Sequence, residues 1–401
     1  MLDEKINKKW KLEYFTTFAQ YFDDVSKIEQ IDKLKVENFP PVIAKFYDAM
    51  DTDEIKKLLD SKLVVSKAKL DECYNEDLVK IGFEKAIKAQ LNALMHEQIA
   101  KLNGEDPNFL SDEELEIINS SDFPFIKLMT LVYSKDTDQM TTEDQQQWKN
   151  QMNHFISEQI LFYVINIYFT MKLYQDNLYT ATFQTPYNRE HTWSKYANNH
   201  AGLCLTYDFK EFKDENIEVF KKIYPVIFSM DKLASEDFDF DIYNSHCLVL
   251  AKVDNDVDVD YDHEWKYILH HKYTKDEYEK LNTLLEPLYA RVVGNEAFKS
   301  FNDYLVMVDG VLEYDYKNNI KDVYNVLESD DFKAQIADIW DELLNVTPDS
   351  LEVDFLKPEA IYLGSNYPED AKDEVKQLAE DNQVKIFQVK SKDDKYYKVL
   401  L

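Results

Sequence analysis

The chain of 401 residues is poor in glycine and cysteine, and each shortage excludes a class of site. Its six glycines form no G-x-G-x-x-G sequence and no phosphate-binding loop, which argues against the common nucleotide-binding turns. Three scattered cysteines, Cys73, Cys204 and Cys247, have no C-x-x-C spacing, so no disulfide framework and no structural zinc site is expected. The G-x-S-x-G and H-E-x-x-H motifs of hydrolases are missing as well.

Long apolar runs are also missing from the sequence. The longest candidate, 160–171, is interrupted by tyrosine, asparagine and threonine and is shorter than the roughly 18 residues that a membrane span needs. The first ten residues, MLDEKINKKW, contain no apolar core of a signal peptide. The sequence therefore predicts no contact with a membrane and a cytoplasmic location.

Positive charge is scarce, with 46 lysines and arginines against 77 acidic residues and a net charge of −31. Only Arg189 and Arg291 offer the planar guanidinium that favours bidentate recognition of phosphate. Because an acidic surface repels phosphates, no direct binding of nucleic acid is expected. The acidic residues are spread along the chain, which favours an ordinary solvated surface, although a nucleic-acid mimic that binds a basic partner is an alternative.

Apolar and aromatic residues are abundant and recur at the spacings of helices and strands, so a folded α+β protein is expected. A strand at 42–49, a helix at 51–61 with Asp51 or Thr52 as N-cap, and a strand at 63–66 open a mixed β-sheet core. The end of the chain follows a β–α–β pattern, with Ser365 or Asn366 as the expected cap of its helix. The predicted divisions are an N-terminal helical segment at 1–37, the first part of the α/β core at 38–85, a large helical insertion at 86–178 and the remainder of the core at 179–401.

The stretch WSKYANNHAGLCLTY, 193–207, concentrates aromatic, small and polar residues at a predicted helix–turn–strand junction. Trp193 is expected to be a core anchor, and Gly202 is expected to hold a turn with positive φ. His191 and His200 are nine positions apart and have no third ligand nearby, so no metal site is predicted.

Paired carboxylates occur in the segment DHEWK, 262–266. Alternation along a strand would place Asp262, Glu264 and Lys266 on one face, where the carboxylates can act as acid and base or simply form cross-strand ion pairs. The preceding acidic run resembles the start of a calcium loop, but Val259 and Trp265 occupy positions that require glycine and glutamate.

Three segments together resemble a bacterial and phage family known as domain of unknown function twenty-nine seventy-one. They are the K-F-Y strand at 45–47, the W-S-x-Y-A and H-x-G-L-C elements between Trp193 and Cys204, and the closing A-I-Y-L-G at 360–364. The family's E-x-E-aromatic-R strand corresponds to 262–266. Its F-N-D-P-F element is replaced by LDECY at 70–74, and its E-x-E-aromatic-R element reads D-x-E-W-K; if these positions carry catalysis in the relatives, the resemblance implies an altered or inactive site here.

The resemblance implies an anti-phage or mobile-element role, as a sensor or interaction subunit with a protein partner. The order of its strands also resembles the ADP-ribosyltransferase layout, which implies an NAD-consuming effector as an alternative. In that layout Lys45 and Tyr47 would hold the NAD cofactor and Arg189 would face its phosphates. Glu264, assisted by Asp262, would be the catalytic carboxylate.

Overall fold

The structure is a computed structural model that describes residues 2–19, 25–48, 50–68, 76–105, 109–137, 141–185, 190–211, 214–229, 250–253, 264–298, 304–308, 311–392 and 395–401. It has the predicted α+β class. The α-helices in chain order are α1 (Leu2–Ala19), α2 (Ile28–Asn38), α3 (Thr52–Leu59), α4 (Glu76–Glu105), α5 (Asp112–Ser120), α6 (Pro124–Thr137), α7 (Thr142–Asp176), α8 (Glu190–Tyr196), α9 (Asp214–Lys221), α10 (Lys275–Val293), α11 (Tyr316–Glu328), α12 (Asp330–Leu344) and α13 (Glu369–Asp381). Short 3₁₀ helices lie at Val25–Lys27 and Glu296–Phe298.

The strands are mostly short and come from all parts of the chain. They are β1 (Val42–Tyr47), β2 (Lys62–Lys67), β3 (Leu178–Gln184), β4 (Leu203–Asp208), β5 (Ile223–Pro225), β6 (Ile227–Ser229), β7 (Ala251–Val253), β8 (Glu264–His270), β9 (Leu305–Val308), β10 (Val311–Tyr314), β11 (Ser350–Asp354), β12 (Ala360–Leu363), β13 (Lys385–Lys392) and β14 (Lys395–Leu400). No helix among the described residues is long and apolar enough to cross a membrane.

Ten of these strands form one mixed sheet, whose main path runs β11-β2-β3-β1-β4-β12-β13-β14. β8 pairs along the length of β3 and also carries β5. The other side of β3 is shared, because β2 pairs near its start and β1 pairs at Gln184, its last residue. The parallel pair β12–β13, joined through α13, confirms the predicted β–α–β ending.

One face of the sheet is covered by α3 and α13, and this layer contains Ile43, Leu205 and Trp265. The opposite face meets a much larger helical layer made by α1, α4 to α7 and α10 to α12. The helices α4 to α7 enter the chain between β2 and β3, as predicted for the insertion, and the later helices α11 and α12 pack with them. A small third cluster joins Trp193 of α8 to Phe46 and Tyr362.

Two predicted helix caps have different outcomes. Asp51 caps α3 as predicted, because its carboxylate accepts a hydrogen bond of 2.9 Å from the Glu54 N–H. The predicted cap of α13 is wrong, since that helix starts after Pro368 and has no side-chain cap. The Asn366 amide instead donates to the Asn199 carbonyl at 3.0 Å, which fastens the loop before α13 to the turn before β4.

Candidate functional site

The first group of predicted site residues lies on β1. Alternation along this strand places Ile43, Lys45 and Tyr47 on the sheet face that α3 and α13 cover. Lys45 is paired in register with Leu205, and its ammonium lies 4.9 Å from the centre of the Tyr47 ring. The structure therefore brings together the two residues that were predicted to hold a cofactor.

A residue that the sequence analysis did not single out, Tyr207, completes this group. Tyr207 on β4 is fully buried and faces the same side of the sheet, opposite Ile43. The hydroxyls of Tyr47 and Tyr207 lie close together: a hydrogen-bonding contact between them raises the pKa of Tyr47 and lowers that of Tyr207, and neither hydroxyl has another partner among the described groups. The sequence does contain a signal for Tyr207, because most side chains of β4 are apolar and such a strand is expected to be buried. A tyrosine hydroxyl on a buried strand normally needs a hydrogen-bond partner.

The electrostatics of this group follow from its apolar surroundings. Burial lowers the pKa of Lys45 to about 8, and no described carboxylate counters that effect. Burial, together with the nearby Tyr207, raises the pKa of Tyr47 well above its ordinary value. All three side chains thus favour their uncharged forms more than they would in water.

Glu264, the predicted catalytic carboxylate, lies on the opposite face of the sheet. Register places Ala44, Gln184 and Glu264 side by side across β1, β3 and β8, and Ala44 points away from the face that holds Lys45. Glu264 is only 1% exposed, and its carboxylate accepts a hydrogen bond of 3.5 Å from the Gln184 amide. Lys266 shares this face, as the alternation predicted, and its side chain is buried as well. The structure does not bring Glu264 together with Lys45 and Tyr47, so one ligand on one sheet face cannot contact all three.

The remaining predicted site residues, Asp262 and Arg189, lie outside the described residues, as does the replaced element at 70–74. Among the residues that the structure does describe, no group of three or more histidine, cysteine, aspartate or glutamate side chains could hold a metal ion. Cys204 is buried with a free thiol, and burial raises its pKa well above the ordinary value.

The turn between α8 and β4 is built differently from the prediction. Asn198, Asn199 and His200 have φ values of 45°, 50° and 69°, three consecutive left-handed residues, whereas Gly202 lies outside the left-handed region. The prediction that Gly202 holds a turn with positive φ is therefore wrong. Glycine is needed at this position for close packing, because a side chain would overlap the Tyr47 carbonyl. Backbone in this left-handed region costs about 1–2 kcal/mol per residue, which the packing around the turn must offset.

His200 is held at the centre of this turn. Its ring stacks between Trp193 and Tyr396, with centroid distances of 6.1 and 5.7 Å. Its Nε2 lies 3.1 Å from the Glu190 carboxylate, which is largely exposed. Trp193 is fully buried, as expected of a core anchor. This arrangement ties α8 and β14 to the strained turn.

Two clefts on the described surface differ in character. The larger, of 620 Å³, lies between α9 and the segment 354–359, and its lining includes five carboxylates and three lysines around Tyr267 and Phe355. Four of those carboxylates already pair with lysines: Asp208 with Lys210, Glu218 with Lys221, Asp354 with Lys62, and Glu359 with Lys385. Its polar groups are thus largely engaged within the chain.

The second cleft is an apolar groove of 370 Å³ between α7 and α10. We call it the α7–α10 groove; its lining is Ile165, Asn166, Phe169, Thr170, Leu173, Leu285, Glu286, Leu288 and Tyr289. Pro287 lies in the middle of the α10 part of this lining and lacks the N–H that would bond to the Thr283 carbonyl, which weakens the helix there.

Exposed aromatic rings extend the α7–α10 groove along α7. Phe162 is 46% exposed and contacts Tyr289 edge to face at 6.2 Å. Phe155, one heptad earlier on α7, is 42% exposed. Exposed rings beside an apolar groove enlarge the apolar surface, and such a surface marks a candidate binding site. The sequence does not predict this surface. The apolar stripe of α7 does not show which of its residues are covered by other segments of the protein and which stay exposed.

No known protein family, curated protein or solved structure matches this chain in the comparisons made. The resemblance to the family of unknown function therefore stays a prediction.

Proposed function

We propose that the chain is an interaction subunit that binds a protein partner in the α7–α10 groove. The observation that carries the proposal is the groove itself, apolar and bordered by the exposed ring of Phe162. A groove between two helices with an apolar lining suits an amphipathic helix, which inserts side chains at helical spacing. The sequence resemblance supports a role in a cytoplasmic phage-defence or mobile-element system.

Charge indicates what kind of helix fits. The only charged side chain in the lining of the groove is Glu286, and the chain as a whole carries a net charge of −31. Such a surface favours a partner helix with lysines and arginines beside its apolar stripe and disfavours an acidic one. The proposed occupant is therefore a basic amphipathic helix of another protein.

The alternative of an NAD-consuming transferase has less support. Its proposed cofactor residues Lys45 and Tyr47 lie on the other face of the sheet from Glu264, whose side chain is buried against Gln184. A Glu264-dependent loss of NAD on incubation with the protein would contradict the non-catalytic role. No loss from the folded protein is the result that we expect.

The test of the proposed surface is affinity capture from the native host with a matched pair of variants. Phe162→Glu places a charge beside the α7–α10 groove, whereas Val36→Glu changes an exposed apolar residue on α2 that is 52% exposed. We expect Phe162→Glu to lose one specific partner and Val36→Glu to retain it, with both variants melting at the wild-type temperature. Equal capture by both variants would contradict the proposal.

A further inference from the structure

The strand β14 has one edge that no other described strand covers. It ends the main path of the sheet, and among the described strands it pairs only with β13. The edge of a sheet presents unpaired backbone N–H and C=O groups, which can pair with another extended chain. The uncovered edge of β14 is therefore a candidate surface for the addition of a further strand.

The hydrogen-bond pattern shows which backbone groups of β14 face this edge. The Leu401 N–H donates to the Ile386 carbonyl at 3.1 Å, so these two residues form a hydrogen-bonded pair in register with the antiparallel ladder. Hydrogen-bonded and non-hydrogen-bonded pairs alternate along such a ladder. Tyr396, Lys398 and Leu400 therefore direct their N–H and C=O groups away from β13, at the spacing that an added strand requires.

The exposed side chains of β14 add apolar surface to this edge. Tyr397 is 47% exposed and Val399 is 36% exposed, and alternation places both on one face of the strand. Leu400, on the other face, is 67% exposed. Cross-strand contacts of aromatic and β-branched side chains stabilise a sheet, so an added strand would gain from these side chains as well as from the backbone.

The charge of this part of the chain indicates what kind of strand fits. From 385 to 401 the sequence contains five lysines and two aspartates, whereas the whole chain has 46 basic and 77 acidic residues. The Lys398 ammonium is fixed on the sheet face beside the edge, because it donates to the Tyr362 hydroxyl at 3.3 Å and lies 4.7 Å from the centre of the Phe387 ring. Charges farther away than about 10 Å are screened at 0.1 M salt, so the local lysines decide. They oppose pairing with the same edge of a second copy and favour an acidic strand.

We propose that β14 binds an extended acidic segment of a second protein, which adds to the sheet as a further strand. Backbone hydrogen bonds with Tyr396, Lys398 and Leu400 supply the affinity, as in other cases of strand addition. Acidic residues of the segment alternate with apolar ones, so that the apolar side chains meet Tyr397 and Val399 and the acidic ones lie on the face of Lys398. This surface is separate from the α7–α10 groove and recognises an acidic strand rather than a basic helix.

The test uses a short fluorescein-labelled peptide in which glutamate alternates with valine, and fluorescence anisotropy follows its binding to the full chain. The control peptide has glutamine in place of each glutamate. We expect the acidic peptide to bind saturably with a Kd below about 1 mM and the glutamine peptide to bind more weakly. Equal binding of the two peptides, or no saturable binding of the acidic one, would overturn the proposal.

A matched pair of variants at Leu400 tests the backbone contact. Leu400→Pro removes an N–H that points away from β13 and keeps the ladder to β13, whereas Leu400→Ala shortens the side chain and keeps the N–H. We expect Leu400→Pro to bind the acidic peptide about threefold to tenfold more weakly than Leu400→Ala does. Lys398→Glu, which leaves every backbone group in place, should weaken binding of the acidic peptide and leave that of the glutamine peptide unchanged. Equal affinity of the two Leu400 variants, or no effect of Lys398→Glu, would contradict strand addition at this edge.

Discussion

Lys35 shows at the scale of a single residue how this chain manages buried charge. Its side chain is 3% exposed, and its ammonium donates to the Phe220 carbonyl at 2.6 Å and lies 4.3 Å from the centre of the Phe220 ring. Burial lowers the pKa of Lys35 to about 7, although Asp32 opposes the effect. The folded state therefore holds the charged form less readily than the unfolded state does.

This shift predicts a pH dependence of stability. Between pH 7 and 10.5 the unfolded chain binds more protons at Lys35 than the folded chain, so the free energy of unfolding should rise with pH. Relative to Lys35→Met, the wild type should gain about 2 kcal/mol between pH 7 and pH 9 in urea denaturation. Lys33→Met, on the exposed side of α2, is the control and should follow the wild type; identical slopes for all three proteins would refute the prediction.

Alanine substitutions at Gly202 and Gly104 provide a second test, because a side chain has no room at the first position and open space at the second. A Cβ at Gly202 would overlap the Tyr47 carbonyl, whereas a Cβ at Gly104, inside α4, meets nothing within 4 Å. Gly202→Ala should lower the free energy of unfolding by about 1–3 kcal/mol. Gly104→Ala should raise it by up to about 1 kcal/mol, because alanine favours the helix. Equal effects in thermal or urea unfolding would show that close packing at Gly202 is unimportant.

The start of a helix depends on the side chain that caps its free backbone N–H groups, as in α10. Thr274 caps α10 in a capping box with Glu277, and the carboxylate of Glu277 also pairs with His271 at 3.0 Å. Thr274→Ala should cost about 1 kcal/mol of stability. Thr283→Ala, at a position within the same helix, should cost less, since the Thr283 hydroxyl bonds only to the Glu279 carbonyl one turn back. A larger loss for Thr283→Ala in urea unfolding would disprove the role of the cap.

The elements themselves were largely predictable from the sequence, because their signals are local. Asp51 before an amphipathic run indicated the start of α3, and strand-like patterns indicated β1, β2 and the start of β8. Features that depend on contacts between distant segments of the chain were predicted less well. The sequence did not predict the hairpin of β9 and β10, and Asn366 bonds to the turn at Asn199 rather than capping α13.

The candidate site was predictable only in part, for a reason of geometry. Periodicity places Lys45 and Tyr47 on one side of β1 and Glu264 and Lys266 on one side of β8. It cannot say whether those sides are the same, because that depends on the register between β1, β3 and β8. Tyr207 and the α7–α10 groove depend on contacts between distant segments, which no single stretch of sequence reveals.

At the scale of the whole molecule, the net charge of −31 should govern association with the partner. Electrostatic attraction between an acidic surface and a basic helix is screened within about 10 Å at 0.1 M salt. Raising the salt from 50 to 500 mM should slow association by about tenfold or more, measured by surface plasmon resonance with the captured partner. Dissociation should change less, because the apolar contacts of the groove persist. A rate of association independent of salt would contradict the proposed basic partner.

Site-specific cross-linking in the host cell would show whether a partner helix occupies the α7–α10 groove. A photoreactive benzoylphenylalanine replaces Tyr289, which lines the α7–α10 groove, or Tyr278, which is 56% exposed elsewhere on α10. We expect a cross-link from position 289 to a basic amphipathic helix of one partner, and we expect it to be lost with Phe162→Glu and missing from position 278. Cross-links of equal yield from both positions, or a link from 289 that survives Phe162→Glu, would contradict it.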